Sequence, residues 1–100
     1  MQSADPADIV ISLAGHDRDK AYVVLQANGS AARTADGKTR KLTKPKSKNL
    51  RHLSLGRPGS DELRKALGRG TATDRDIRRE LAEFRSEAAM TEEGKQFVKR

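Results

Sequence analysis

The sequence predicts a mainly β fold, a small barrel of four to five strands followed by a C-terminal α-helical extension. Three observations carry that expectation. Short apolar segments rich in β-branched residues fill the first half of the chain, and Asn28-Gly29 and Asp36-Gly37 punctuate them. After Gly56-Arg57-Pro58-Gly59 the hydrophobic period changes from that of a strand to that of a helix.

The elements follow in order. Ile9, Ile11 and Leu13 alternate with Val10 and Ser12, the period of two expected of a strand. Residues 20–27 carry Tyr22, Val23 and Val24, types suited to a pleated surface. Asn-Gly and Asp-Gly suit type I′ turns, whose central residues need positive φ. Residues 20–27, 30–35 and 38–43 are therefore expected to form a meander. Pro45 cannot donate to a ladder and is expected to end regular pairing, after which Leu50 to Leu53 closes the sheet. Beyond Gly59, Ser60 caps a short helix carrying Leu63 and Leu67. Thr73 and Asp76 have the spacing of a capping box. Ile77, Leu81, Phe84 and Ala88 then form one stripe of an amphipathic helix, with Asp74–Arg78 and Arg79–Glu83 as i,i+4 pairs. The expected organisation is a flexible 1–7, a barrel at 8–55, and a helical extension at 56–100. Its helices fall at about 60–67 and 74–88, before a frayed tail at 91–100.

Composition narrows the function. With no cysteine, disulfides and thiolate zinc sites are excluded, and His16 and His52 stand apart without a ligand cluster. The first residues lack the basic segment of a secretory signal, and no apolar run approaches a membrane span, so the cytoplasm is expected. The net charge of +7 is unevenly placed: residues 15–55 hold ten Lys/Arg against three Asp. Concentrated charge of one sign opposes compaction unless a polyanion neutralises it, which points to nucleic acid.

At residues 9–24, Ile-Val-Ile-Ser-Leu-Ala-Gly-His-Asp-Arg-Asp-Lys-Ala-Tyr-Val-Val resembles a KOW motif. The continuations Ala35 to Leu42 and Lys44 to Leu53 are similar to the small bacterial KOW-domain RNA-binding proteins, relatives of the KOW-type large-subunit ribosomal proteins. The likeness covers about residues 8–55, with a less specific one at Thr73 to Phe84. It implies an SH3-like barrel, a strand–loop–strand with Gly15, His16, Asp17 and Asp19 in its loop, and a non-enzymatic protein that binds ribosomal RNA. By the same resemblance ribosomal proteins are further candidate partners, and no cofactor is implied. The free chain is expected to be monomeric. KOW loops usually carry a glycine where this chain has Asp19, a residue that enters the left-handed region more readily than most.

Independently of any family, Lys38, Arg40, Lys41, Lys44, Lys46, Lys48 and Arg51 give seven bases in fourteen residues without an acid. Such a row can track a phosphate backbone; Arg18 and Lys20 of the loop extend it. Tyr22 is the barrel's one aromatic residue, so contact through phosphates, 2′-hydroxyls and shape is expected rather than base stacking. The adjacent His16 and Asp17 lack an accompanying nucleophile motif, so His16 reads as a solvated loop histidine. Two other classes stay open: a protein-interaction or transcription-associated KOW module, and a helix-turn-helix DNA binder using Arg75, Arg78, Arg79 and Arg85.

Overall fold

The computed structural model describes residues 1–98. It contains a five-stranded antiparallel sheet and two helices. The strands are β1 (Ile9–Ser12), β2 (Ala21–Asn28), β3 (Ala31–Ala35), β4 (Lys46–Asn49) and β5 (Leu53–Arg57); a single 3₁₀ turn, Leu50–His52, joins β4 to β5. The helices are α1 (Asp61–Arg69) and α2 (Asp74–Val98). The spatial order is β4-β3-β2-β1-β5.

That order forces curvature. β4 and β5 lie at opposite edges, about 19 Å apart if the sheet were flat. The 3₁₀ turn between them spans only about 6–8 Å. The sheet therefore curls until its two edges approach at this turn, although among the described residues no ladder joins β4 to β5 and the barrel is not closed. The chain start seals the same end. The Met1 ammonium donates to Leu50 O at 3.0 Å and Leu53 O at 3.1 Å. Ala7 is fully buried, with its N–H on Val24 O. Residues 1–7, expected to be flexible, are thus tied at both ends, Met1 and Ala7, to backbone carbonyls of the remaining chain.

Both faces of the sheet are covered. Val10, Tyr22, Val24, Ala32, Leu50 and Leu53 fill the inside of the curl. Ile9 and Val23 face the other way and meet Leu63 of α1 with Ile77 and Leu81 of α2. Double coverage explains why the apolar residues of β1 and β2 run continuously where strict alternation would leave one face wet. It also corrects the expected alternation, since Leu13 at the end of that series is 47 % exposed.

The turns differ from expectation in two places. At the first hairpin Asn28 pairs with Ala31, so Gly29 and Ser30 are the central residues, and only Gly29 has positive φ. A type I′ turn would need both. At the second, residues 38–43 form no strand. The Asp36 carboxylate accepts from the N–H groups of Lys38 (2.9 Å) and Arg40 (2.8 Å), while Asp74 accepts from Leu42 N–H at 2.8 Å. Those donors are then unavailable to a ladder. Pro45 precedes β4 without preventing it, because β4 pairs on one side only. Pairing also resumes beyond the turn at Leu50 to His52: β5 runs through Gly56 to Arg57, so the sheet extends past the expected boundary at 55.

Local capping sets the helices. Ser60 Oγ accepts from Leu63 N–H, and Gly70 in the left-handed region ends α1 at Arg69, past the end expected near 67. The Thr73–Asp76 box forms reciprocally, at 3.0 and 3.2 Å. α2 extends to Val98, past the end expected near 88; Lys99 and Arg100 of the expected tail lie outside the described residues. The two expected i,i+4 pairs are replaced. Asp74 and Arg78 both turn to the 36–44 loop, and Arg79 pairs with Asp76 at 3.5 Å.

Candidate nucleic-acid interface

Two loops define the site. The first, residues 13–20, is clamped at its base, where Asp19 N–H donates to Ser12 O (2.8 Å) and Ser12 N–H to Lys20 O (3.0 Å). Closing so short a loop requires left-handed backbone at two positions, Gly15 (φ 82°) and Asp19 (φ 71°). Glycine takes that conformation freely and aspartate at some cost. Replacing Asp19 with glycine is expected to raise stability by about 0.5–1 kcal/mol and to remove an exposed acid from a basic surface. Paired urea-unfolding curves check the first effect; a lower midpoint would show that the Asp19 side chain makes a compensating contact.

The second loop, residues 36–44, is docked onto the start of α2. Arg78 donates to Gly37 O at 2.7 Å. A Cβ at Gly37 would stand 2.5 Å from Asp74 O and 2.8 Å from Arg78 Cγ, so only glycine permits this approach at its φ of 78°. The contact fixes a loop that presents Lys38, Arg40, Lys41 and Lys44 to solvent.

Between the loops lies a cleft of ≈ 500 Å³, lined by Gly15, His16 and Lys20 from the first loop, Arg40 from the second, Lys46 from β4 and His52 from the 3₁₀ turn. Its floor is an internal ion pair. Asp17 accepts from Lys48 Nζ, from Ser12 Oγ (3.0 Å) and from Tyr22 OH (3.1 Å). The same ammonium sits over the Tyr22 ring, 4.9 Å from its centroid. The Lys48 hydrogen bond, reinforced by those from Ser12 and Tyr22, holds the Asp17 carboxyl well below the usual range despite its partial burial. Burial first, and the carboxylate beside it second, push the Tyr22 phenol up to about 12.

The geometry sorts the residues expected to contact RNA. Lys20, Arg40 and Lys46 project around the cleft with free charge. Lys48 does not join them: its side chain is 9 % exposed and neutralised by Asp17. Lys48 therefore belongs to the floor, and Asp17, expected as a residue of the loop, anchors it. Arg18, Lys41, Lys44 and Arg51 are exposed but line no concavity of the site. Asp36, the other acid at this cleft, is turned inward to cap its own loop. His52 was not singled out as a contact residue; its place in the cleft depends on the 3₁₀ turn, which the Leu50–Leu53 apolar pattern conceals. Among the described residues no cluster of three or more His, Cys, Asp or Glu could hold a metal ion, and no helix is long and apolar enough to cross a membrane. No protein-family model and no curated protein matches the chain.

Proposed function

We propose that this chain is a non-enzymatic RNA-binding protein of the KOW type, contacting ribosomal RNA or ribosomal particles through backbone and shape. The observation that carries the proposal is the cleft whose rim bears Lys20, Arg40 and Lys46 while its acids, Asp17 and Asp36, are both spent on internal hydrogen bonds. Cations at the rim, beside one acid paired with Lys48 and another held by backbone N–H groups, make a surface matched to phosphate. The fold supports the same reading: a four-strand meander, a 3₁₀ turn and a fifth strand returning to β1 suit an SH3-like barrel. The Tyr22 ring is covered by Lys48 and is not a stacking platform, which favours recognition of backbone and shape.

The helix-turn-helix reading is less favoured, because α2 buries Ile77 and Leu81 against the sheet and ties Arg78 to Gly37. A recognition helix needs a face free to enter a groove.

Titration of structured ribosomal RNA across a salt series tests the proposal. If four to six phosphates are engaged, the log–log slope should be roughly −3 to −5. Arg40→Gln with Lys46→Gln should weaken binding broadly across RNA sequences and reduce the slope by about two. Salt-independent binding, or no binding, would sink the reading. Co-sedimentation of the chain with ribosomal particles distinguishes a ribosomal target from a transcriptional one.

A further inference from the structure

A second groove adjoins the cleft. It has a volume of ≈ 610 Å³ and lies between the sheet and α2, with Leu81 and Phe84 in its floor. Lys20 and Lys38 stand on its sheet side, and Arg78 and Arg85 on its helix side. Lys20 lines both concavities and so places a cation where the two adjoin. Arg85 has no acidic partner among the described residues and is exposed, as is Lys38. The groove's acids are fewer: Asp36 is turned into its own loop, and Asp19 is the single acid left facing solvent.

We propose that the bound RNA continues past Lys20 onto α2, so that Lys38 and Arg85 flank a second stretch of its phosphate backbone. This rests on the function proposed above and deepens it. Charge complementarity selects the occupant: four bases surround two acids on an open, partly apolar floor. The helix is thereby a reader of backbone, held at a fixed distance from the cleft by the Arg78–Gly37 hydrogen bond and the close approach at Gly37. None of the substitutions tested below replaces a residue of those fixed contacts.

The experiment compares the full chain with Lys38→Gln, Arg85→Gln and Ala82→Glu, using the same structured ribosomal RNA and salt series. Ala82 is an exposed groove residue whose enlargement obstructs the floor without entering the core. Each Gln variant should lower affinity about three- to tenfold and reduce the slope by about one, and Ala82→Glu should lower affinity at least tenfold. Arg69→Gln, at an exposed base lining neither concavity, should stay within twofold. Far-UV circular dichroism verifies that every variant is folded. Loss in Arg69→Gln equal to that in Arg85→Gln would reduce the effect to net charge and overturn the proposal. Binding that falls in Arg40→Gln/Lys46→Gln but not in the groove variants would also overturn it, leaving the cleft reading intact and the groove to an acidic protein segment. Absence of RNA binding by the wild-type chain would remove both.

Discussion

Replacing Glu80 with alanine is expected to lower the unfolding free energy by about 3 kcal/mol, a fall in melting temperature of roughly 12–20 °C for a chain of this size. Glu80 is 5 % exposed and joins three elements. It accepts from Arg57 of β5 at 3.0 Å, from Ser60 Oγ at 2.8 Å and from Ser60 N–H at 3.1 Å. Burial alone would raise its pKa, but the Ser60 and Arg57 hydrogen bonds outweigh that effect and hold the carboxyl below its ordinary value. Removing the carboxylate strands the Ser60 donors at the start of α1 and leaves Arg57 with Glu87 and the Pro58 carbonyl. The Arg57 guanidinium also lies 6.0 Å from the centroid of the Phe84 ring, so this network adjoins the groove floor. Glu80→Gln keeps an acceptor for Ser60 and should cost about half as much. A loss below 1 kcal/mol in Glu80→Ala, measured by urea unfolding, would show that apolar packing alone holds the helices to the sheet.

The sign of the pH dependence follows. A carboxyl whose folded pKa is depressed contributes stability that is present above its unfolded value and is lost as pH falls through the folded one. Glu80 and Asp17 both have lowered values. The contribution of these two carboxylates should therefore be flat above about pH 5 and decline from about pH 4 downward, and Glu80→Ala should show a shallower decline.

Much of the sheet was legible in the sequence because β1, β2 and β3 carry their own apolar residues. β4 was not. Lys-Ser-Lys-Asn has no buried face of its own and is a strand only because β3 offers it an edge and Thr34 donates to Lys46 O at 3.0 Å. Residues 38–43 failed in the opposite sense. An Asp-Gly turn usually serves a hairpin, but here Gly37 serves a tertiary approach to α2, which no local pattern encodes. The site follows the same division. That bases crowd residues 38–51 is plain from composition, and which of them are free is not. The distinction between Lys46 and Lys48 depends on the β4 register, since two residues along an edge strand share a face but only Lys48 reaches Asp17.

That internal pair yields the second large effect. Asp17→Ala should destabilise the fold by about 2–4 kcal/mol, because it leaves Lys48, Ser12 and the Tyr22 hydroxyl in or near the interior without their shared acceptor. Asp17→Asn keeps an acceptor and loses the charge, which makes it the variant for titration. Tyr22 is the chain's single tyrosine and there is no tryptophan, so absorbance of the phenolate near 295 nm reports this residue alone. In the wild type its midpoint should lie near 12. Since the folded pKa is raised above the ordinary value of 10.0, the contribution to stability is complete below pH 10 and disappears as pH rises toward 12. In Asp17→Asn the midpoint should fall only part of the way toward 10, because burial, the larger cause, and the Asp36 charge still oppose ionisation. The same substitution stops neutralising Lys48 at the cleft floor, so RNA affinity at low salt should rise while stability falls. An unchanged phenol midpoint would mean that burial rather than the carboxylate sets the Tyr22 titration, and lower RNA affinity in a folded Asp17→Asn would mean that Asp17 holds the loop in its binding shape. Opposite movement of stability and affinity is the signature expected of an acid that neutralises a base beneath a phosphate site.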